Sequence, residues 1–449
     1  MKKIAIKILS FVLIFGILCC AGIPVLAAED YTLVSPYADV VWDGEDAWGA
    51  YKGNLHSHST YSDAETDLAT MVKEYYYQGY DFLAEADHGV TGVEWNREPA
   101  RLPLYAYHAL LGNPVAHLTD EEYEGITTGT YPLEDGTVRG DKMVCVTGAN
   151  ELCNLTVSKS HVNGYFLPSC VGNGYGGTEN GFEQAVAFVE RNGGISHINH
   201  PGDFLMSRDD ISAVYKEENI KFFGDILLQY DTCMGIEVFN ENNNTEPYNR
   251  ILWDNLLLYC LPYGKNVIGF SNTDAHETND VDTSFGIYLM PENSVENIRT
   301  AMQTGAFFAV TRTLPANDVL GPAKRYDMKN TDTVPPVFTR VETDGHTIRV
   351  EMENADSIQW IADGKIIATA QTELNLDDFE GAADFTYVRA EIFGEGGVCL
   401  TQAIAIDNGE EKKVFDDTLT LEKFFAKLVE FIKSRLLWVL TERFIIPKL

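Results

Sequence analysis

The fold of this chain is constrained most by a repeated order of short apolar runs and amphipathic helical runs between residues 53 and 312. One helical run begins at Asp67 and stops at Gly79, and a strand-like run follows at residues 82–84. The same helix-then-strand order recurs along the segment, which predicts a parallel sheet in an α/β fold. About seven such units favour a closed or nearly closed barrel, with functional groups at the C-terminal ends of its strands.

Two segments depart from this alternation. Residues from about 89 to 140 are rich in Tyr, Pro and Gly, and they predict either a cap over a site or a surface excursion. Residues 334–408 alternate apolar and polar side chains, with turns at Asp363–Gly364 and near Gly396–Gly397, which predicts a small antiparallel, sandwich-like domain. We therefore expect a barrel domain over residues 29–325, followed by this β-domain.

Both ends of the chain carry patterns typical of targeting or surface contact. Residues 1–28 combine three lysines, an apolar run and small residues, which predicts a secretory signal peptide cleaved near Ala27–Ala28. An uncleaved membrane anchor and lipid attachment at Cys19–Cys20 are the alternatives. Residues 418–449 predict an amphipathic helix that lies on a membrane surface, pairs with a second copy or docks on its own domain. We expect a secreted or cell-surface bacterial protein.

Charge and cysteine content restrict the partners and the kind of site. The net charge of −34 disfavours a nucleic acid polymer as partner, because its phosphates need a broad basic surface. A small phosphorylated substrate stays compatible, since bound metal ions supply local positive charge. The six cysteines outside the predicted signal peptide are widely spread without a CxxC pair. They predict neither a disulfide framework nor a thiolate zinc site, and one or two bridges remain open.

Metal-ligand side chains follow the predicted strands directly. His56 and His58 are two residues apart, so in an extended strand both side chains project from the same face. Six of the ten histidines and three carboxylates occupy such positions, and converging strand ends should bring them together. The set consists of His56, His58, Asp63, His88, Glu151, His161, His200, Asp274 and His276. These donors suit zinc, manganese or iron, and about four or five ligands per ion predict two or three divalent ions bridged by Glu151.

Six ordered motifs carry a family resemblance: "NLHSHSTYSD", "EADHG", "GANEL", "SHVNGYFL", "NHPG" and "NTDAH". Together they resemble the polymerase-and-histidinol-phosphatase (PHP) family over residues 51–312. The resemblance implies a distorted (β/α)7 TIM-like barrel whose two- or three-metal centre hydrolyses phosphate esters. It also implies three ligand groups: His56, His58, Glu151 and Asp274; Glu151, His161 and His200; and Asp63, His88 and His276.

The function expected from this resemblance is that of a secreted metal-dependent phosphoesterase. A metal-activated hydroxide would attack a phosphate mono- or diester of a small, glycan-linked or lipid-linked substrate. The catalytic residues would be Asp63, His88, Glu151 and His276. The chain is most similar to secreted members with an appended β-domain, and that branch is similar to hydrolases of carbamate or ester bonds. Hydrolysis of a carboxylic or carbamic ester or an amide is therefore the alternative, and a non-catalytic surface-binding protein is the third hypothesis.

Other polar residues are expected to support the site or to lie apart from it. Asp87 would orient a ligand or cap a helix, and His197 would be structural. The strand-end residues Glu237 and Asn240 would either support the ligands or simply end a strand. Ordinary surface histidines are predicted at His108, His117 and His346. A positive side chain that helps to hold substrate would be Arg97 or Lys159.

Overall fold

The computed structural model describes residues 31–99, 102, 104–153, 160–169, 181–205, 211–240, 246–312 and 333–418, with positions 421, 424, 425, 428, 429 and 432. The predicted signal peptide, Lys159, Cys170 and most of the predicted C-terminal helix lie outside the described residues. Within the described part, we find no helix with the length and apolar character needed to cross a membrane.

Strands and helices alternate along much of the described chain. The strands are β1 (Thr32–Val34), β2 (Gly49–Asn54), β3 (Phe82–Leu83), β4 (Val144–Cys145), β5 (Asn150–Leu152), β6 (Val162–Tyr165), β7 (Ile195–Ile198), β8 (Cys233–Asn240), β9 (Ile268–Asn272), β10 (Ser284–Met290), β11 (Phe307–Thr311), β12 (Val337–Asp344), β13 (Thr347–Glu353), β14 (Ser357–Ala362), β15 (Lys365–Thr369), β16 (Glu373–Asn375), β17 (Tyr387–Gly394), β18 (Gly397–Leu400) and β19 (Ile404–Asp407).

Helices occupy most of the connections before β12. The α-helices are α1 (Leu68–Tyr77), α2 (Tyr105–Leu111), α3 (Asp120–Thr128), α4 (Phe182–Arg191), α5 (Gly202–Leu205), α6 (Glu217–Gln229), α7 (Glu246–Cys260) and α8 (Val295–Thr304). Short 3-10 helices occur at Ile211–Tyr215, Leu261–Tyr263, Thr278–Asp280, Leu376–Asp378 and Ala382–Asp384. The predicted first helix is confirmed in α1, where the Asp67 side chain accepts a hydrogen bond from the Thr70 amide and Gly79 follows with φ +79°.

The strands form three sheets rather than a single parallel one. The largest has the order β1-β19-β17-β18-β11-β10-β2-β3-β4, with β14 pairing to both β17 and β15. The second has the order β5-β6-β7-β8-β9, and the third β12-β13-β16. The strands β2-β3-β4 and β7-β8-β9 are parallel, but β5-β6-β7 and β10-β2 are antiparallel. The prediction of a wholly parallel sheet is therefore wrong. Strands β5 and β6 are antiparallel because the connection between them, residues 153–161, is shorter than the dozen or so residues that a parallel crossover needs.

Two single-residue bridges join the edges of the first two sheets. Ser57, just after β2, pairs in parallel with Ala275, just after β9. His88, after β3, pairs in parallel with Glu151 in β5. Backbone hydrogen bonds strengthen both joins, with the Glu151 amide 3.0 Å from the Ala86 carbonyl oxygen. The segments after β2, β3 and β9 therefore meet β5 at one end of the sheets, and this end is where the polar motifs lie.

The C-terminal strands are not isolated from the preceding part of the chain. Antiparallel strands are present as predicted over residues 334–408, but β18 pairs with β11 and so extends the large sheet. A buried ion network adds to this connection. Both guanidinium nitrogens Nε and Nη2 of Arg389 donate to Asp254 of α7 at 2.8 Å. Glu391 receives bonds from Arg389 Nη1 at 2.5 Å and from Arg250 at 2.6 Å.

Removing the arginine at the centre of this network should destabilise the protein. In Arg389→Met, the buried carboxylate of Asp254 loses its bidentate partner, and we expect the free energy of unfolding to fall by about 3–5 kcal/mol. Chemical denaturation followed by circular dichroism measures this change. The control is Arg340→Met, whose partner Asp43 is exposed, and it should leave the unfolding midpoint nearly unchanged. Equal midpoints for both variants would contradict a stabilising role for the network.

Candidate metal centre

The first two histidines are positioned by the segment that follows β2. The strand itself ends at Asn54, so His56 and His58 lie beyond it rather than within it. Ser57 between them pairs with Ala275, and the His58 amide donates to the Ala275 carbonyl at 2.9 Å. The Asn54 side chain donates to the His56 carbonyl at 2.9 Å. These bonds keep the segment extended, so both rings point to the same side, as the spacing predicts.

Four buried donor atoms converge on one point. The Nε2 atoms of His56 and His58 are 3.1 Å apart. Glu151 Oε2 lies 3.4 Å from the first nitrogen and 3.2 Å from the second. Asp274 Oδ1 lies 3.1 Å and 2.9 Å from the same two nitrogens. Since tetrahedral bonds of about 2.0–2.1 Å hold neighbouring ligand atoms about 3.3–3.4 Å apart, the four atoms surround a space that fits one zinc-sized cation.

The other oxygen of Glu151 faces a second group of donors. His161 Nδ1 lies 2.9 Å from Glu151 Oε1, and His200 Nε2 lies 3.7 Å from it. The two histidine nitrogens are 3.3 Å apart. Glu151 therefore lies between two groups of donors, which is the position required of a bridging carboxylate.

Asp63 organises a third group on the open side of the cluster. His88 Nε2 lies 3.6 Å from Asp63 Oδ2, and His276 Nε2 lies 3.7 Å from Asp63 Oδ1. His58 Nδ1 is 3.9 Å from Asp63 Oδ1. The structure thus brings all nine predicted ligands into one cluster, although the contacts around Asp63 are looser than those around Glu151.

The donor chemistry of the cluster fits bound cations. Glu151 Oε2, Asp274 Oδ1 and Asp63 Oδ1 are buried oxygen atoms without a hydrogen-bond donor among the described residues. Burial alone would raise the pKa of Glu151, but the surrounding imidazoles, His161 first, hold that pKa well below its usual range. The carboxylate is therefore ionised, and an ionised buried oxygen without a donor is costly unless a cation faces it. Divalent ions would satisfy all three oxygens at once.

The backbone is also strained at two of the ligands. His200 has φ +24° and Asp274 has φ +49°, both in a region that non-glycine residues seldom occupy. Such conformations cost of order 1–3 kcal/mol each and persist where the surrounding structure enforces them. Their occurrence at two candidate ligands indicates that the ligand directions, rather than local stability, determine the backbone here.

Glu237 supports His56 from outside the four-donor group. Its Oε1 accepts a hydrogen bond from His56 Nδ1 at 2.9 Å, which leaves His56 Nε2 unprotonated and directed at the cation space. Asn272 donates to the same oxygen at 2.9 Å, and Asn240 donates to Oε2 at 2.9 Å. Burial alone would raise the pKa of Glu237. The neighbouring His56 has the opposite effect, and the net result is a pKa below the usual value, so the acceptor is ionised. Of the two interpretations left open by the sequence, these contacts favour ligand support for both Glu237 and Asn240.

Asp87 supports His58 through a serine. Ser62 Oγ donates to Asp87 Oδ1 at 2.6 Å and lies 3.3 Å from His58 Nδ1. The backbone amide and the hydroxyl of Ser59 also donate to Asp87, both at 2.8 Å. Asp87 thus orients a ligand through the loop after β2. His197 lies beneath the cluster, 3.1 Å from the Tyr165 hydroxyl, and burial lowers its pKa to about 4, so this ring is neutral.

The expectation that His108 is an ordinary surface histidine is wrong. Its side chain is fully buried, with Nε2 2.6 Å from the Ser62 carbonyl oxygen. The reason is that α2 of the insertion packs against the loop that carries Asp63, a contact between distant parts of the chain. Thr60 of this loop also donates to the Pro114 carbonyl at 2.8 Å. The insertion therefore covers one side of the ligand loop.

The other residues that the sequence analysis placed outside the ligand set differ in how exposed they are. His117 is exposed, as predicted for a surface histidine, and its Nδ1 donates to the Leu118 carbonyl oxygen at 2.9 Å. His346 is partly buried, stacked on the Tyr31 ring at 3.7 Å between centroids. Arg97 is exposed and donates to Asp120 at 2.6 Å, so its guanidinium is engaged at the surface and not with the cluster.

One donor of the cluster was missed by sequence reasoning. Cys153 Sγ lies 2.9 Å from His88 Nδ1, and these two residues form a compact group of donors with His161. The absence of a CxxC pair led to the expectation that no thiolate takes part. The available signal was the spacing, because Cys153 is two residues after Glu151 and so follows β5 on the same face.

Comparisons with known proteins find similar solved structures only. No family model matches the chain, and no curated protein matches it. A two-domain protein from Bacteroides vulgatus, described as containing a predicted PHP-like metal-dependent phosphoesterase, is 15% identical, with a TM-score of 0.41 over 82% of this chain and 89% of that one.

Two further structures are similar over about half of this chain. A lesion-specific endonuclease from Pyrococcus furiosus is 13% identical, with a TM-score of 0.32 over 57% of this chain and 56% of that one. A protein from Bifidobacterium adolescentis, whose assignment as a metal-dependent phosphoesterase is itself an inference, is 14% identical, with a TM-score of 0.28 over 50% of this chain and 88% of that one.

Loss of the bridging carboxylate should reduce metal content. We expect Glu151→Gln to bind fewer zinc ions per chain than the unaltered protein, because an amide supplies neither the charge nor the second oxygen donor. Elemental analysis after zinc loading and gel filtration measures the ratio. Glu373→Gln, at an exposed ion pair with Arg349, is the matched control and should retain full loading. Equal zinc content in both variants would exclude Glu151 as a ligand.

Loss of the carboxylate behind His56 should have a smaller effect. We expect Glu237→Gln to keep the metal stoichiometry but to weaken zinc affinity about 10–100-fold, as is typical when a partner of a ligating histidine is altered. Competition with a chromogenic chelator measures this affinity. Unchanged affinity would show that the bond to His56 does not tune the ligand, and loss of the ion altogether would instead indicate direct ligation.

Proposed function

We propose that this chain is a metal-dependent phosphoesterase of the PHP type. The observation that carries the proposal is the four-donor group of His56, His58, Glu151 and Asp274, in which five donor–donor distances lie between 2.9 and 3.4 Å. Glu151 extends this group to His161 and His200 on its other oxygen. A shared carboxylate between neighbouring cation spaces suits a multi-metal hydrolytic centre better than a single structural ion, which needs a closed set of four ligands.

The solvent exposure of each side chain indicates which residues would only hold the ions and which would also face the substrate. When bound, divalent ions supply Lewis-acid activation of water and neutralise charge on phosphoryl oxygens. His56, His58 and Glu151 are closed off from solvent and hold their positions through buried partners. Asp63, His161 and His276 are open, with side-chain exposures of 31%, 27% and 34%. We infer that substrate approaches on this open side, where these three residues contact it or its attacking water.

The proposal includes a distorted (β/α)7 barrel as the scaffold. The segments after β2 and β3, the strands β5 to β9, and the bridges Ser57 to Ala275 and His88 to Glu151 support a ring of seven segments around the donors. Three ligand groups would then serve two or three ions of zinc, manganese or iron, with Asp63, His88, Glu151 and His276 as catalytic residues.

The proposed setting is outside the bacterial cell. The lysine-rich, apolar and small-residue pattern of residues 1–28 supports secretion or attachment to the cell surface. The strongly acidic chain supports a small, glycan-linked or lipid-linked phosphoester over a nucleic acid polymer. Contact of residues 418–449 with a membrane surface remains part of the same proposal.

Parallel assays of three ester types test this function. We expect the zinc- or manganese-loaded protein to hydrolyse nitrophenyl phosphate or bis-nitrophenyl phosphate, and to lose this activity after chelation. Asp274→Asn should lower kcat/KM by more than the roughly 100-fold upper range for an altered outer partner, because it removes a donor of the four-atom group. The matched control Asp356→Asn, at an exposed turn, should keep full activity.

The outcomes separate the proposal from its alternatives. Metal-dependent hydrolysis confined to a nitrophenyl carboxylate would replace the phosphoesterase with an ester or amide hydrolase. Bound metal without turnover of any phosphate or carboxylate would favour a non-catalytic surface protein. Full phosphatase activity in chelated protein would overturn the metal-dependent mechanism itself.

A further inference from the structure

A sulfur atom lies inside the donor cluster. Cys153 is buried, and its Sγ is 2.9 Å from His88 Nδ1. One ligand atom each from Cys153, His88 and His161 can be chosen so that all three lie within 4.8 Å of one another. A sulfur and two imidazoles at such separations match the donor types of a zinc site.

A buried oxygen points into the same group. Glu151 Oε2 lies 3.0 Å from the same His88 Nδ1, and it has no hydrogen-bond donor among the described residues. The Glu151 side chain is 1% exposed, so solvent does not compensate its charge. The other oxygen of this carboxylate is 2.9 Å from His161 Nδ1. One sulfur, two nitrogens and a carboxylate therefore surround one region next to the four-donor group.

The two nitrogens of His88 face different neighbours. Nδ1 faces Cys153 and Glu151, whereas Nε2 faces Asp63 at 3.6 Å. The ligand division implied by the sequence resemblance places His88 only with Asp63 and His276. In the structure the ring lies between that group and the sulfur, so a cation beside Cys153 would use a donor set that the resemblance does not include.

We propose that Cys153 binds an ion through its thiolate in the region it shares with His88, His161 and Glu151, and that this ion is zinc. The inference rests on the proposed metal centre and adds a donor to it. When the sulfur–zinc bond forms, the S–H bond breaks and its proton passes to solvent, with no change in oxidation state. Because thiolates favour zinc over the harder manganese ion, Cys153 makes this part of the centre selective for zinc.

Cobalt substitution tests sulfur ligation without relying on activity. Cobalt(II) bound to a thiolate absorbs in the near ultraviolet through sulfur-to-metal charge transfer, whereas cobalt bound only to imidazole and carboxylate lacks this band. We expect the full chain loaded with cobalt to show the band and Cys153→Ser to lose it. The matched control Cys145→Ser, at the half-buried end of β4 and outside the donor groups, should retain it.

Two further measurements separate a ligand from a residue that only orients His88. Zinc affinity of Cys153→Ser should fall by more than the about 10–100-fold typical of altered outer partners, and manganese should compete better for the site. X-ray absorption of the unaltered zinc protein should show a sulfur neighbour at about 2.3 Å. This last result does not depend on whether the variant folds.

These measurements distinguish failure of the sulfur-ligand proposal from failure of the proposed function. Cobalt or zinc bound without a charge-transfer band or a sulfur neighbour would overturn sulfur ligation and leave the phosphoesterase proposal intact. A sulfur neighbour in a protein that hydrolyses no ester would overturn the function and leave the ligand assignment intact. Absence of any bound metal would overturn both.

Discussion

The structure depends on one electrostatic constraint: an ionised, buried carboxylate surrounded by imidazoles. Glu151 is fully buried, and histidine nitrogens lie within 2.9–3.7 Å of its two oxygens. Uncompensated charge at this depth would cost several kcal/mol, so the surroundings must supply either protons or cations. Imidazoles that already direct a nitrogen inwards, with the opposite nitrogen held by Glu237 or a serine, are arranged for cations.

The fold meets this constraint by bringing several strand ends to one place. The segment after β2 supplies three of the nine donors and no other segment supplies more than two, and the bridges at Ser57 and His88 join the two sheets where the donors lie. The insertion packs His108 under the loop that carries Asp63, and this contact constrains the position of that ligand. The C-terminal strands continue the large sheet through β11 and are tied to α7 by the Arg389 network. The site therefore rests on most of the described chain rather than on one motif.

The successes and failures of sequence reasoning have one physical origin. Side chains that follow a strand converge wherever strand ends converge, so position along the chain was sufficient to group the nine donors. His108 was missed because its environment comes from contacts between segments that no local pattern encodes. For Cys153 the spacing from Glu151 indicated the shared face, but its contact with His88 joins distant segments and could not be inferred from that spacing. The antiparallel pairs around β6 were missed for a related reason, since apolar runs look alike whichever direction their neighbours take.

The sequence by itself determined the residue types of the site, their order and their positions after strands, because spacing along an extended chain decides which side chains share a face. Tertiary structure alone decided the rest: which oxygen of Glu151 faces which histidine, which nitrogen of His88 faces sulfur, and how the C-terminal strands join the main sheet. These are questions of distance between remote segments, and distances are decided only when the whole core packs.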